Sequence, residues 1–494
     1  MSRSKNSVIL SIGRVVALSL NLLTTLLLAR LLTVSEYGYY QQVWLVYLVV
    51  SPVFSAGLPA SILYFFPNLS PENQKTIVFQ TATLLMGLGC VLSLISILFG
   101  GFVFSENEIS GEYNMLLYFA FYPIFSLPII FFDSLLIVLK KAKDAVLFTV
   151  YFAVIHFVSV LLPSFLDLGL EMTFVSISIG GLINFAIVYI YLFNYFKGTR
   201  FNWSKTILKD QLNYSIPLAL SSIIGTLNRR IDFVMISFIF SVETFAIYSA
   251  GAFEIPIVGV VVGVIVSITI PEFVKLYHQR NFEEIIRIWK SSIAKVSLIF
   301  FPLFLFLLVS AKDFITLLFT DKFEGSHIVF MILIFTLPLR VANYGSLLQT
   351  AGKTRFILKI SIMTLVANGV FNLVFIYFFG FYGAAVSTVL SMYVMGFLQL
   401  HKSGRLMNIR LAHMMPFKRL ATVMLFAMAP LIAIYPLQLV MSETNILIRF
   451  IVSGFLYGLL YVLITMWLSP MKMEIKDLIF DLLKRKKRPT VTEA

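Results

Sequence analysis

Residues 8–29 read VILSIGRVVALSLNLLTTLLLA, and Arg14 is the single charged side chain in this run. A membrane-spanning helix needs roughly 20 consecutive apolar residues, so this segment is long enough to cross a bilayer. It is too long for the apolar region of a secretory signal, and no small-residue cleavage site follows it. The stretch therefore predicts a first transmembrane helix near the start of the chain.

The rest of the chain has a similar composition. Of its 494 residues, 59% are hydrophobic and 13% are charged. Soluble domains carry roughly 25% charged residues, so lipid rather than water must surround most of this chain. We predict an all-α polytopic membrane protein. The apolar runs between polar breaks predict 14 transmembrane helices, at residues 8–29, 39–58, 77–98, 113–138, 146–166, 172–193, 214–240, 247–270, 291–310, 327–350, 357–379, 381–400, 420–439 and 446–468.

Lysine and arginine are unevenly distributed between the predicted loops. With the N-terminus in the cytoplasm, 28 of the 38 Lys and Arg residues fall in inner segments and 3 in outer segments. Cytoplasmic loops of membrane proteins carry this kind of excess, so we predict that both termini are cytoplasmic. A basic run at 484–488, preceded by an amphipathic segment at 471–483, is expected to contact anionic lipid.

The chain also resembles itself. Val34–Tyr40 parallels Val242–Tyr248 at an offset of 208 residues, and weaker matches follow in order at similar offsets. Six predicted helices separate the copies, and because an even number preserves orientation, the repeats are parallel and place a substrate site between two lobes. The predicted divisions are a first lobe at 1–200, a second lobe at 201–405, two appended helices at 406–470 and a cytoplasmic tail at 471–494.

Several arginines lie inside the predicted spans. An arginine at the centre of a bilayer costs about 2.5–3.5 kcal/mol on insertion scales, so it usually faces a cavity or a partner. Arg229, Arg230 and Arg340 are central in their predicted spans, and Arg14 lies at an intermediate depth. We take these four arginines as candidate substrate-binding residues of a cationic cavity. Other cations, including Arg449, lie near span ends and are expected to extend toward the interface.

Polar residues follow these arginines at helical spacing. Asn21 and Thr25 fall on the same face of the first predicted helix as Arg14, since residues three, four and seven apart share a helix face. Ser222 and Thr226 accompany the two arginines of the seventh predicted helix in the same way. The two faces correspond at the repeat offset, so a two-fold axis would turn both toward one cavity.

Acidic residues provide counter-charges for this cavity. Asp232 and Glu254 are the main candidates, and Asp133 is a third. Asp232 lies three residues after Arg229, so a neutral structural pair is an alternative to a substrate site there. The surplus of arginine favours an anionic substrate, because the guanidinium fork matches phosphate and carboxylate groups.

The sequence contains no recognisable catalytic or metal-binding motif. The five histidines are scattered, Cys90 is the single cysteine, and carboxylates do not cluster at the spacing of metal ligands. We therefore predict a transporter that needs no metal or cofactor, and not an enzyme.

The end of the first predicted helix and the turn after it read ARLLTVSEYGYY at residues 29–40. With Gly57-Leu58-Pro59, the YFFP run at 64–67 and the QTAGK run at 349–353, this segment resembles the Wzx-type polysaccharide flippases. These belong to the superfamily that also contains the MATE exporters and the lipid II flippase MurJ. The resemblance covers nearly the whole chain and is uninformative about the sugar.

The resemblance implies a flippase that moves an undecaprenyl-pyrophosphate-linked oligosaccharide from the inner to the outer leaflet of a bacterial cytoplasmic membrane. It implies a monomer surrounded by lipid, with polysaccharide polymerase and glycosyltransferases as partners and no nucleic acid. The alternatives are a MATE-like small-molecule exporter, a transporter of lipid II or of a teichuronic acid precursor, a membrane-embedded enzyme and a scaffold. Proton-coupled MATE exporters commonly carry an acidic residue on their first helix, and this first helix has none.

Overall fold

The structure is a computed structural model that describes residues 3–104, 112–197 and 202–468. These residues form helices joined by short turns, with no strand among them, which confirms the predicted all-α fold. The chain divides into two compact units, Met1–Ser249 and Ala250–Ala494. The amphipathic segment and the basic run predicted at 471–488 lie outside the described residues.

In the first unit, helices from different parts of the sequence pack against one another. Its helices are α1 (Arg3–Leu31), α2 (Val34–Phe54), α3 (Leu58–Phe65), α4 (Pro71–Phe104), α5 (Glu112–Phe119), α6 (Tyr122–Ser126), α7 (Phe132–Val138), α8 (Ala142–Phe165), α9 (Gly169–Tyr195), α10 (Lys205–Ile239) and most of α11 (Val242–Gly251), whose last two residues belong to the second unit. Helix α1 packs along α8, while α2 and α3 pack against α10. Leu58, Leu85, Phe131 and Leu135 are fully buried in the core that joins α3, α4 and α7.

The second unit is a second helical bundle. Its helices are α12 (Pro256–His278), α13 (Phe282–Val309), α14 (Ala311–Phe319), α15 (Ser326–Leu333), α16 (Thr336–Leu339), α17 (Tyr344–Thr350), α18 (Thr354–Phe379), α19 (Tyr382–Met407), α20 (Leu411–Met414), α21 (Phe417–Met428), α22 (Leu431–Val440) and α23 (Ile446–Leu468). Helices α18 and α19 form a tight pair, and α13 packs against α12, α21 and α23. Helix α13 is the most buried of the candidate spans, with 67% of its most apolar stretch inside the structure.

Most of the predicted spans are present. Within the described residues, 12 helical segments are long and apolar enough to cross a membrane, or 13 when the pair Val34–Phe54 and Leu58–Asn68, bent by 43°, is taken as one span. Helix α10 is not among them. It overlaps the predicted span 214–240 and carries Arg229, Arg230 and Asp232. The count of 14 therefore stays a prediction, and it requires α10 to cross the membrane despite its polar residues.

Four predicted spans are interrupted where the sequence analysis expected continuous helices. The span 113–138 consists of α5, α6, a 3₁₀ turn and α7, and the span 247–270 is broken at residues 252–255. The span 327–350 is broken twice, and the span 420–439 is broken at Ala429 and Pro430. Proline is the physical reason, because it lacks an N–H donor and its ring obstructs the preceding turn. Pro128, Pro256 and Pro338 each lie at or beside such a break.

The carbonyl groups freed at two of these breaks have side-chain partners. Ser178 donates a hydrogen bond to the carbonyl oxygen of Tyr118 at 2.9 Å, and Tyr393 donates to that of Phe335 at 3.1 Å. Irregular backbone at membrane depth is tolerated only where it is buried in protein or lines an aqueous cavity. The interruptions are therefore part of the architecture and mark places where polar groups are accommodated.

Candidate substrate-binding residues

Arg14 lies on α1 and faces Asp133 in the first turn of α7. The Nη2 atom of Arg14 is 3.8 Å from Oδ2 of Asp133, and the two side chains are 61% and 53% exposed. A pair this long and this exposed contributes little to stability. The guanidinium of Arg14 is consequently solvent-exposed and only loosely paired with the Asp133 carboxylate.

The neighbouring polar residues of α1 lie along the helix. Asn21 is exposed, and the hydroxyl of Thr25 donates to the Asn21 carbonyl at 3.1 Å. This bond is local to the helix, so it occupies the Thr25 hydroxyl as a donor and leaves the Asn21 side chain exposed. The structure thus leaves Asn21 available on α1, with Thr25 engaged by its own helix.

Helix α10 carries two arginines whose contacts leave their charges intact. Arg229 donates from Nη2 to the hydroxyl of Thr226 at 3.4 Å, and Thr226 is 8% exposed. The guanidinium carbon of Arg230 lies 5.0 Å from the centroid of the Phe233 ring. A hydroxyl and an aromatic face orient a guanidinium without neutralising it. Ser222, one turn before Thr226, is exposed.

Asp232 has a different environment from the arginines beside it. Its side chain is buried, with 3% exposure, and Tyr248 on α11 donates a hydrogen bond to its Oδ2 at 2.7 Å. Arg229, three residues earlier, reaches back to Thr226. The hydroxyl of Tyr248 is therefore one partner of the Asp232 carboxylate, and the neutral pair with Arg229 stays an alternative. Asp232 ties α10 to α11.

Arg340 and Glu254 form an ion pair at two helix interruptions of the second unit. Arg340 directly follows α16, and Glu254 lies in the segment between α11 and α12. The Nη2 atom of Arg340 donates to Oε1 of Glu254 at 3.1 Å, and the side chains are 32% and 75% exposed. A single guanidinium nitrogen of Arg340 makes this contact, and about a third of its side chain is exposed.

Arg449 behaves differently from the prediction that it extends to the membrane interface. Its Nη2 and Nε atoms donate to the two carboxylate oxygens of Asp313 at 2.5 and 2.7 Å, and its Nη1 donates to the Ser442 carbonyl at 2.8 Å. The side chains of Arg449 and Asp313 are 14% and 11% exposed. This bidentate pair fastens α23 to α14 and is structural. No sequence signal links the two residues, because they are 136 positions apart.

The structure thus gives the predicted residues distinct partners. It places Arg14 beside Asp133, Arg229 beside Thr226, Arg230 over Phe233 and Arg340 beside Glu254. Among the described residues, no three His, Cys, Asp or Glu side chains are close enough together to hold a metal ion. Phe233 and Tyr248 were not among the predicted site residues, since aromatic side chains in an apolar helix carry no distinguishing pattern.

Comparison with known proteins assigns the chain to a family. A family model described as "Polysaccharide biosynthesis protein" matches residues 4–277, more than half of the chain. The capsular polysaccharide biosynthesis protein CapF of Staphylococcus aureus is 25% identical over 235 residues. The matched part covers 46% of this chain and 58% of CapF, so it spans less than two thirds of that relative.

Solved structures with the same fold are membrane transporters. The lipid II flippase MurJ in an inward closed conformation matches with a TM-score of 0.74 and 13% identity, covering 96% of this chain and 100% of its own. An inward-facing multidrug resistance MATE family transporter of the MOP superfamily matches with a TM-score of 0.64 and 15% identity, covering 80% and 98%. A MOP superfamily transporter from Pyrococcus furiosus matches with a TM-score of 0.55 and 16% identity, covering 82% and 96%. At these identities the likeness shows the fold.

These comparisons confirm the predicted resemblance. The apolar helices are those of a multi-span membrane protein, and the MurJ-like fold extends over nearly the whole chain. The chain belongs to the polysaccharide biosynthesis protein family and has the fold of the MOP-superfamily transporters.

Proposed function

We propose that this protein is a flippase that carries a polyprenyl-pyrophosphate-linked oligosaccharide, the repeat unit of a polysaccharide, from the cytoplasmic to the outer leaflet. Transport proceeds by alternating access through a cationic cavity. Membership of the polysaccharide biosynthesis protein family supports the pathway, and the fold it shares with a lipid II flippase supports the mode of transport. The location is the cytoplasmic membrane of a bacterium, with both termini in the cytoplasm.

The observation that carries the proposal is the Arg340–Glu254 pair. Arg340 lies inside the candidate membrane span Ser326–Thr350, and Glu254, which pairs with it, is 75% exposed. An exposed carboxylate paired with an arginine inside a span favours an aqueous cavity rather than lipid at this place. A cavity with a partly free arginine fork is suited to a phosphate group.

Exchange of counter-ions gives the arginines a simple role in binding. Asp133 and Glu254 each hold an arginine through one contact. A pyrophosphate presents more negative charge and more acceptor oxygens than either carboxylate, so it can displace them. Arg229 and Arg230, which are held by a hydroxyl and an aromatic ring, add positive charge without needing displacement. The polyprenyl tail remains in lipid throughout.

The proposal extends to the surroundings of the protein. The two repeats, at 1–200 and 201–405, supply the two halves that rock during transport, and the helices at 406–470 are an addition. The protein acts as a monomer in the lipid bilayer. Glycosyltransferases supply the lipid-linked substrate, and a polysaccharide polymerase consumes it on the outer side.

Deletion in the native host tests this function. Loss of the protein should cause accumulation of a lipid-linked oligosaccharide that remains on the cytoplasmic leaflet. The wild-type protein should clear it, and Arg340→Ala at equal membrane abundance should not. Arg287→Ala is the matched control, because Arg287 is 78% exposed and pairs within α13 with Glu284. Unchanged lipid-linked saccharides in the deletion strain would refute the proposal, and accumulated lipid II would redirect it to peptidoglycan.

A further inference from the structure

The start of α2 and the start of α11 are joined by a hydrogen bond. The hydroxyl of Ser35 donates to the carboxylate of Glu243, and the two residues are 208 positions apart. This separation equals the offset between the repeated segments Val34–Tyr40 and Val242–Tyr248. Each residue therefore contacts its own equivalent in the other repeat.

A contact between equivalent residues has a geometric meaning. When two similar parts are related by a two-fold rotation, equivalent residues meet only where the axis passes. The Ser35–Glu243 contact accordingly marks the point at which a pseudo-two-fold axis leaves the membrane on the side predicted to face outward. Any motion that separates the repeats on this side has to break that contact.

The backbones are also pressed together at this point. A Cβ atom at Gly38 would lie 2.5 Å from the carbonyl oxygen of Val242 and 2.5 Å from one of its methyl groups. Contacts this short do not occur between real atoms, so the approach of α2 to the α11 turn depends on glycine. The side chain of a larger residue would hold the two segments apart.

Hydrogen bonds cap the helix starts of both segments. Thr33 accepts from the Glu36 N–H, and the Glu36 carboxylate accepts from the Thr33 N–H at 2.8 Å. Ser241 accepts from the Thr244 N–H at 3.3 Å. Caps of this kind fix the direction of a helix start. The conformation of each turn is therefore set by its own local hydrogen bonds.

The ionised carboxylate strengthens the contact. The hydrogen bond from Ser35, together with the N–H of Glu243 itself, holds the pKa of Glu243 below its ordinary value. The carboxylate is therefore charged at neutral pH, and a hydrogen bond to a charged acceptor is stronger than one between neutral groups. The side chains are exposed, which leaves the contact reversible.

A second close contact lies toward the opposite end of the same helices. A Cβ atom at Gly57 would lie 2.5 Å from the Ser215 carbonyl oxygen, and the buried Gln211 donates to Ser61 at 2.8 Å and to Thr81 at 2.6 Å. From Ser215 to the end of α10 is about 36 Å at 1.5 Å per residue. The exposed polar face of α10 lies between these two contacts, which is the arrangement expected when a binding face is closed at both ends.

We propose that Ser35, Gly38, Val242 and Glu243 form an outer latch, which closes the protein on its outward side and opens to release the substrate. The latch lies where the two repeats meet, so its state determines access to the polar face of α10 from outside. The inference rests on the alternating-access part of the proposed function. It adds the specific residues that hold the outward side shut.

Accessibility of a reporter cysteine tests the latch without reference to the substrate. Ser222→Cys in a Cys90→Ala background places one thiol on the polar face of α10, and a membrane-impermeant maleimide is added from outside. Glu243→Ala should raise the labelling rate several-fold. Glu171→Ala is the matched control, because Glu171 is exposed in the first turn of α9 on the same predicted side. Equal labelling rates for Glu243→Ala and the parent would overturn the proposal.

Cross-linking supplies a second test that does not depend on the fold tolerating Glu243→Ala. Ser35→Cys with Glu243→Cys, in the Cys90→Ala background and joined by a short cleavable thiol reagent, should stop transport, and cleavage should restore it. A cross-linked pair within the first repeat, Asp144→Cys with Tyr191→Cys, whose native side chains are hydrogen-bonded at 2.7 Å, should leave transport intact. Undiminished transport by the cross-linked latch would overturn the proposal. A labelling response without accumulation of lipid-linked oligosaccharide in the deletion strain would keep the latch and refute the proposed function.

Discussion

Arg340→Ala is the substitution that most clearly distinguishes an effect on substrate binding from an effect on protein stability. The Arg340–Glu254 pair is 3.1 Å long, but Glu254 is 75% exposed. Exposed ion pairs contribute about 0.2–1 kcal/mol, so the variant should fold and insert almost as well as the wild type. A hydrogen bond from arginine to a phosphate is worth about 1.5–3 kcal/mol. Its loss should lower transport about 10- to 150-fold, at about 1.4 kcal/mol for each factor of ten.

The assay for Arg340→Ala is transport at matched protein abundance, combined with a melting curve of the purified protein. Arg340→Lys should recover part of the activity, because it restores the charge but not the planar fork. Glu254→Gln is the informative partner variant. It removes the internal counter-ion and leaves the arginine, so it should retain substrate binding. Wild-type transport by Arg340→Ala would refute the cationic-cavity mechanism, and a large fall in its melting temperature would show that the arginine is structural.

Three further outcomes are expected. Arg449→Ala should lower stability by about 3–5 kcal/mol, because it leaves the buried carboxylate of Asp313 without its partner. Thermal unfolding measures this loss. If the double variant with Asp313→Ala recovers stability, the unpaired charge is the cause. Arg14→Ala should reduce transport while changing the melting temperature little, since its ion pair is 3.8 Å long and exposed; a large stability loss would contradict this assignment. Wild type should be more stable than Glu243→Gln at any pH above the ordinary carboxyl pKa, and this difference in stability should disappear as the pH falls through the lowered pKa of Glu243. Melting curves across acidic pH measure the difference. A difference that does not change with pH would contradict the charged contact.

The sequence predicts the helical class well because hydropathy reports directly on lipid exposure. It does not predict where the spans are interrupted. Pro217 and Pro302 lie inside continuous helices, whereas Pro128, Pro256 and Pro338 lie at breaks. Neighbouring side chains can satisfy the carbonyl that a proline frees, so the outcome at each proline depends on tertiary contacts. The start of α10 at Lys205 rather than 214 has a local reason, since Ser204 caps the helix.

In the candidate site, too, the sequence predicts some features and not others. Helical spacing and hydropathy locate the arginines, because a charge in an apolar run is conspicuous. Their partners depend on packing over long separations, such as the 86 residues between Arg340 and Glu254. Arg449 illustrates the limit, since its position near a span end predicts an interfacial side chain while a distant aspartate instead holds it in the structure. The repeat, by contrast, is visible in the sequence and recurs as the Ser35–Glu243 contact.

Transport by the purified protein in liposomes tests the central claim most directly. A polyprenyl-pyrophosphate-linked oligosaccharide is incorporated in both leaflets, and the fraction accessible to an impermeant sugar-oxidising or sugar-binding probe is followed over time. The account predicts that the wild-type protein makes the inner-leaflet pool accessible, that Arg287→Ala does the same, and that Arg340→Ala is at least 10-fold slower. A wild-type protein no faster than empty liposomes, or an Arg340→Ala protein as fast as wild type, would contradict it.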